Sequence, residues 1–390
     1  MHRFGKQVIW SKHIFVHTRK ANHMDTSALT RPKEATAWRA IWGLAALEGT
    51  ITIGWLAYEK YQPVLLERFQ FTALASLLIV AQGIIGALFH PISGKLADWL
   101  VRKRGSQFPL IISGIAFAAI IFMAVSLSIF TNAQESFRWV LPVLVLLWLA
   151  AMSTFHSPAI SLIDTFTPVK KFPKVAAILS MVFGFVYTLE PFVIPLFNRF
   201  GVGIVFALGG VLLLVAGVVL RSVSLHTVEK AHVKQKKVSY KQLSIVTLFV
   251  VGLLTGLFKA TLLFAVPNRM TNILNVSNDD SLQAIMLLFS ALASVPISIF
   301  INSIGTAKAL RVGSIVSVSI IILTYLLSIP FVHYLLLILA GMIFSLLSIS
   351  ALSFVLSRFS KGQVGFAIGA YYGGVSATTA LVNLLIFFYA

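Results

Sequence analysis

Long, continuously apolar runs separated by short polar segments dominate the chain. Each run is close to the roughly 20 residues that a helix needs to cross the hydrocarbon core of a bilayer at about 1.5 Å per residue. The runs do not alternate between apolar and polar positions, which indicates helices and not the strands of a barrel. Eleven spans are predicted, at residues 37–58, 71–93, 108–130, 139–163, 175–197, 202–221, 243–267, 281–301, 309–329, 334–356 and 364–389.

Composition supports a membrane protein. Of the 390 residues, 58% are hydrophobic and 11% are charged, whereas soluble globular proteins carry roughly 25% charged residues. A soluble fold of this length could not bury so much apolar surface, so a soluble enzyme, a disordered chain and a coiled coil are excluded. The chain contains no cysteine, and therefore no disulfide, cysteine metal site or thiol nucleophile. We predict an all-α polytopic membrane protein.

The distribution of the basic residues predicts the topology. The net charge is +19, and 25 of the 31 lysines and arginines fall on the segments that share one side with the N-terminus. Because basic residues favour the cytoplasmic side, the N-terminus is predicted to be cytoplasmic, and eleven spans place the C-terminus outside. The basic residues are scattered over short segments and not gathered in one module, which argues against nucleic-acid binding.

The order of the segments predicts the domains. Residues 1–36 form a basic cytoplasmic segment without a convincing signal peptide, and Met24 is a possible second start. A six-helix bundle at 37–221 is followed by a cytoplasmic central loop at 222–242 and a five-helix bundle at 243–390. Six plus six helices is the layout of two-bundle transporters. The apparently missing twelfth helix indicates a premature end or a divergent member, a miscounted span, or a partner helix.

A motif between the second and third spans carries a family resemblance. Residues 94–104 read GKLADWLVRKR, which resembles the signature loop G-x-L-A-D-R-x-G-R-[RK] of the major facilitator superfamily; Trp99 and Val101 depart from it. Glycine at 94 permits a close helix approach, and Asp98 can accept bonds from a helix N-terminus. Arg102 and Lys103 can pair with acids across the interface between the halves. The resemblance implies a two-bundle fold and a loop that latches the halves in the outward-open state.

Two further loops resemble the same latch network. Asp164 and Lys170 lie in the loop between spans 4 and 5, and Arg358 lies in the loop before span 11. The predicted latch set is therefore Gly94, Asp98, Arg102, Lys103, Asp164, Lys170 and Arg358. The family's drug–proton antiporters usually have an arginine in span 4 and a glycine before the proline of span 5. Span 4 has no such arginine, and Glu190 precedes Pro191, which weakens an antiporter assignment.

Ionisable residues inside spans are the candidate site. A charge at the centre of a membrane helix costs about 2.5–3.5 kcal/mol on insertion scales, so such residues usually face a bundle interior or a cavity. The resemblance implies that spans 1, 4, 7 and 10 line a central cavity. Helical spacing places Glu48, Thr52 and Trp55 on one face. The predicted substrate and proton-coupling set is Glu48, Thr52, Trp55, His156, Tyr187, Glu190 and Lys259.

Alternatives stay open for the two central charges. Glu48 either couples protons or contacts substrate, or else it belongs to a buried ion pair. Lys259 either binds an anionic or polar substrate or forms a structural pair with Glu190 or Glu48. Small residues of span 11, including Gly365, Gly369 and Gly373, are predicted to pack against Gly83, Gly86 and Ala87 of span 2.

The chain contains neither a P-loop nor a His-Glu-x-x-His motif, so no ATP-driven transport, metal or cofactor is predicted. We predict no enzyme activity. The predicted function is proton-coupled secondary transport of a small solute by a monomer in the plasma or inner membrane, with drug or metabolite efflux preferred over uptake. Two alternatives are a solute–proton symporter and a scaffold or assembly factor that uses the same fold without transporting.

Overall fold

Helices make up the regular structure of the described part of the chain. The computed structural model describes residues 36–68, 75–131, 140–233, 244–276, 279–359 and 362–389. Most of the predicted N-terminal segment, including Met24, and residues 234–242 of the predicted central loop lie outside these ranges. The helices are α1 (Trp38–Arg68), α2 (Ala75–Arg104), α3 (Phe108–Phe130), α4 (Val140–Phe166), α5 (Phe172–Thr188), α6 (Glu190–Phe200), α7 (Val202–Val233), α8 (Ile245–Ala260), α9 (Val266–Leu274), α10 (Asp279–Ile304), α11 (Thr306–Leu326), α12 (Pro330–Leu356) and α13 (Val364–Tyr389).

Every predicted span coincides with one helix or with two consecutive helices. Within the described residues, nine helical segments are long and apolar enough to cross a membrane, or ten if the bent pair α5–α6 is one span. The last predicted span corresponds to α13, which is not among these segments. The all-helical membrane fold is therefore confirmed, whereas the count of eleven spans stays a prediction.

Two spans are interrupted. α5 and α6 meet at a bend of 59°, because Pro191 near the start of α6 has no N–H to continue the helix and its ring crowds the preceding turn. A π-helical turn, Thr261–Ala265, joins α8 to α9. In addition, α7 continues to Val233, so residues 222–233 of the predicted central loop are helical.

The helices pack as two halves. In the first half, α1 contacts α5 and α7, α2 contacts α4, and α3 contacts α4 and α7. In the second half, α8 contacts α13, and α12 contacts α10 and α11. The halves meet where α2 runs along α13 and where α5 runs along α10.

Small residues let α2 and α13 approach closely, as the sequence predicts. A Cβ atom added to Gly83 would overlap Ala380, and one added to Gly86 would overlap Ser376. At the far end of this contact, a Cβ atom on Gly94 would overlap the carbonyl oxygen of Gly365. The two backbones are therefore in direct contact along most of the crossing.

Candidate functional site

A cavity of about 210 Å³ lies between the two halves. It is lined from α1, α4, α5, α8, α12 and α13, so both halves contribute to one pocket. Six of the seven residues predicted for the site line this cavity, and the seventh, Glu190, does not. The polar and aromatic lining residues are Glu48, Thr52, Trp55, His156, Ser180, Phe183, Tyr187, Lys259, Ser348, Tyr371 and Tyr372.

Glu48 and His156 form an ion pair at the cavity wall. The Nε2 atom of His156 lies 3.4 Å from Oε2 of Glu48, and the two side chains are only 15% and 14% exposed. Thr52 donates its hydroxyl to the backbone carbonyl of Glu48 at 2.8 Å. Helix α1 therefore presents its acid to a histidine of α4, not to the lysine of α8.

Lys259 lies between two aromatic rings. Its Nζ atom is 4.7 Å from the ring centroid of Phe344 and 5.8 Å from that of Phe183, which are cation–π distances. The ion pair that the structure gives to Glu48 is with His156, and the structural pair of Lys259 with Glu48 or Glu190 stays a prediction. The π-helical turn begins two residues later, and such turns occur frequently at functional sites.

Trp55 is held by aromatic neighbours of α1 and α4. Its ring centroid is 4.9 Å from that of Trp148 and 5.7 Å from that of Tyr58, both in edge-to-face geometry. Trp148 and Tyr58 are buried. Trp55 is therefore a rigid apolar wall of the cavity.

His90 and Tyr372 extend the ionisable group but are absent from the predicted set. The ring centroid of His156 is 4.7 Å from that of Tyr372 and 5.8 Å from that of His90. Nδ1 of His90 is 2.8 Å from the hydroxyl oxygen of Ser157. His90 is an ionisable residue inside a span, so the criterion that selected His156 would also have found it.

A second cavity of about 500 Å³ adjoins the first and shares Phe183, Tyr187, Lys259 and Val375 with it. Glu190 lies in this second cavity with four other charged residues, one of which is Lys259. The hydroxyl of Tyr187 donates to Oε2 of Glu59 at 3.1 Å, so Tyr187 bridges α5 to α1. In addition to Lys259, the charged residues that line this second cavity are Glu59, Lys60, Glu190 and Asp280.

At the opposite end of the molecule, Asp98 fastens α2 to the start of α13. Its carboxylate accepts the backbone N–H of Gly365 at 2.9 Å and that of Phe366 at 2.8 Å, as predicted for an acid facing a helix N-terminus. Asp98 is only 5% exposed. Arg102 donates to the backbone carbonyl of Gly362 at 2.9 Å, and its pairing with an acid across the interface stays a prediction. We refer to these contacts, together with the Gly94–Gly365 approach, as the α2–α13 latch.

The other predicted latch residues occupy different positions. Asp164 lines a small cavity together with Asp98. The ammonium group of Lys103 lies 4.8 Å from the Trp99 ring centroid, and the guanidinium of Arg358 lies 5.1 Å from that of Phe354. Lys170 is exposed in the 3₁₀ turn Val169–Lys171. No group of three or more acids and histidines that could hold a metal ion occurs in the described ranges.

A family model described as the Major Facilitator Superfamily matches residues 109–383. The chain belongs to the major facilitator superfamily. As a member of that family, the protein is a membrane transporter and not an enzyme. No curated protein sequence matches the chain.

Solved structures resemble this superfamily member over nearly its whole length. The human organic anion transporter MFSD10 (TETRAN) has 15% identity and a TM-score of 0.70, with 90% of this chain and 93% of that chain covered. A bacterial homologue of the iron transporter ferroportin, outward-facing with soaked iron, has 13% identity and a TM-score of 0.69, covering 91% and 92%.

The proton:xylose symporter XylE bound to 6-bromo-6-deoxy-D-glucose is also similar, with 12% identity and a TM-score of 0.62, covering 90% of this chain and 87% of that one. At these identities the likeness shows the two-bundle fold alone. These three proteins are named for three different kinds of substrate, so the fold does not select one of them.

Proposed function

We propose that the protein is a proton-coupled secondary transporter of a small solute that works by alternating access as a monomer in the plasma or inner membrane. The observation that carries the proposal is the Glu48–His156 pair, which lies in a cavity that both halves line. A carboxylate and an imidazole 3.4 Å apart can take up and release a proton at the place where a solute would bind.

The position of the α2–α13 latch supports an assignment of the side of the membrane to which this conformation is closed. Asp98 and Arg102 hold the halves together at the end that carries residues 94–104, which the positive-inside rule assigns to the cytoplasm. The larger cavity lies at the other end. We therefore assign this arrangement to a state that is closed to the cytoplasm, with the N-terminus cytoplasmic.

The roles of the remaining site residues follow from their positions. Trp55 and Tyr187 line the solute cavity, and Glu190 lies in the outer cavity together with Glu59. Proton uptake from outside would reach Glu48 through this outer cavity. The proton gradient would then drive efflux of the solute.

Substitution of Glu48 tests the coupling. In proteoliposomes that contain a pH-sensitive dye, scanned over a compound panel, the wild-type protein should move protons when a transported solute is added. Glu48→Gln should reduce this solute-dependent proton flux about tenfold or more, because the amide cannot exchange a proton at this position. Solute counterflow without a pH gradient should continue, because the glutamine leaves the shape of the cavity intact.

Glu67→Gln is the matched control, since Glu67 lies exposed near the end of the same helix and should leave the flux unchanged. His156→Gln, which removes the other ionisable partner, should weaken coupling in the same direction as Glu48→Gln. A Glu48→Gln protein with wild-type proton flux would refute the coupling role. A flat response of the wild-type protein to all compounds in both directions would favour a non-transporting scaffold.

A further inference from the structure

We infer that the transported solute is a compact organic anion, a monocarboxylate on a planar apolar body, and that Lys259 and Ser180 bind its carboxylate. The inference rests on the proposed transport function, because it names the substrate class of the same cavity. It is carried by an ammonium group that contacts two aromatic rings and by a hydroxyl that has no hydrogen-bond partner among the described residues.

The carboxylate and the ammonium group of the central cavity have different neighbours. Its ionisable lining consists of Glu48, His156 and Lys259, together with the hydroxyls of Tyr187, Tyr371 and Tyr372. Glu48 is the acid of the Glu48–His156 pair, and the ammonium group of Lys259 contacts only aromatic faces. Cation–π contacts offset a small part of the cost of removing an ammonium ion from water. An anion placed against Lys259 would give the ammonium group a counter-charge in direct contact.

Ser180 supplies a hydrogen-bond donor in the same wall. It is only 9% exposed, and its hydroxyl has no partner among the described residues. Helical serines and threonines commonly donate to the carbonyl four residues earlier, as Ser153 and Thr255 do here, but Ser180 does not. Ser180 lies three positions before Phe183, on one face of α5, and the Phe183 ring lies against Lys259.

The remaining wall sets the size and shape of the solute. Trp55, Phe183 and Tyr372 present aromatic surface to the cavity, which favours a planar apolar body. The volume of about 210 Å³ is below the roughly 300–1,000 Å³ of pockets that hold drug-sized ligands. A single aromatic ring bearing one carboxylate fits this cavity, and a longer solute would extend into the adjoining one.

The outer cavity has the charge pattern expected for release of an anion. Beyond Lys259, the acids Glu59, Glu190 and Asp280 outnumber the single base Lys60. The negative potential of these acids lowers the local concentration of an external anion at this mouth, which slows rebinding from outside.

Binding measurements on the purified full-length protein in detergent test the inference without requiring transport. Benzoate, its neutral isostere benzamide and the cation benzylamine are titrated by calorimetry against the wild-type protein, Lys259→Met, Lys259→Arg and Ser180→Ala. We expect benzoate to bind the wild-type protein more tightly than either analogue. Loss of a charge-assisted contact should weaken benzoate binding about tenfold or more in Lys259→Met and about fivefold in Ser180→Ala.

The controls separate binding from folding and from coupling. Lys259→Arg keeps the charge and should stay within about threefold of the wild-type affinity, and benzamide binding should not respond to either lysine variant. Glu67→Gln, an exposed position of α1, should bind benzoate like the wild type. Proton flux in Glu48→Gln and benzoate binding in Lys259→Met are read by different measurements, so loss of coupling and loss of anion binding are separate results.

Three outcomes would overturn the inference while leaving proton-coupled transport of another solute intact. These are absence of benzoate binding, tighter binding of benzylamine or benzamide than of benzoate, and a Lys259→Met protein that binds benzoate like the wild type. Conversely, lysine-dependent benzoate binding without solute-dependent proton flux would refute the proposed function and keep the assignment of the anion site.

Discussion

Asp98→Asn should open the α2–α13 latch and lower the ratio of closed to open molecules at this end about hundredfold. The carboxylate accepts two backbone N–H groups from the start of α13, and hydrogen bonds to charged groups contribute about 1.5–3 kcal/mol each. Asparagine keeps one acceptor, turns an NH₂ group towards the second amide and removes the charge. A loss of about 3 kcal/mol corresponds to roughly two powers of ten in the equilibrium.

Electron paramagnetic resonance can measure this change directly. The chain has no cysteine, so Lys170→Cys and Lys308→Cys provide a spin-label pair on exposed positions of the two halves. The distance distribution should shift to longer values in Asp98→Asn. Lys95→Gln, an exposed position of the same helix, should leave it unchanged. Arg102→Gln should shift it less, because its bond to Gly362 is exposed to solvent. An unaltered distribution in Asp98→Asn would show that these bonds do not hold the halves together.

Gly94→Ala should prevent the same end from closing, by steric overlap and not by loss of a bond. The added Cβ atom would overlap the backbone carbonyl of Gly365, which cannot rotate away as a side chain could. Overpacking of this kind costs about 1–3 kcal/mol, and contact with rigid backbone places the cost near the upper limit. We expect transport to fall about hundredfold, because each cycle of alternating access requires this end to close.

The matched control is Gly54→Ala in α1, where the new Cβ atom would lie 3.4 Å from the Phe122 ring, an ordinary contact. This variant should transport like the wild type. Gly94→Ala should keep its thermal unfolding temperature within a few degrees, because α2 and α13 can move apart at this end in the other state. Normal transport by Gly94→Ala would argue that the molecule does not close at the Gly94–Gly365 contact. General unfolding of Gly94→Ala would show that the glycine is required for folding and not for closure.

The sequence predicts the helices and the latch well because both depend on local patterns. Apolar runs of spanning length locate every helix, and residues 94–104 predict an acid that faces a helix N-terminus. The small residues of the last span predict its contact with α2, since only backbone proximity is required there. None of these predictions needs knowledge of how distant side chains are oriented.

Contacts between helices explain what the sequence could not predict. Glu190 follows Tyr187 by one turn, but the break at Leu189 changes the helix direction between them. Tyr187 donates a hydrogen bond to Glu59, and Glu190 lies in the outer cavity. Lys259 could have paired with either of two acids, and only the packing of Phe183 and Phe344 shows where its ammonium group lies. Such choices depend on the rotation of each helix about its axis, which an apolar run does not specify.

The α2–α13 latch draws on the two halves unequally. Asp98 provides the chemistry with its side chain, whereas Gly365 and Phe366 provide main-chain amides, and Gly362 provides a carbonyl. Any residue except proline at position 366 carries the same amide. The second half can therefore diverge at the start of α13 and keep its share of the contact, provided that position 365 stays small. The side chains that close this end therefore belong to the first half, and the second half contributes only accessible backbone groups.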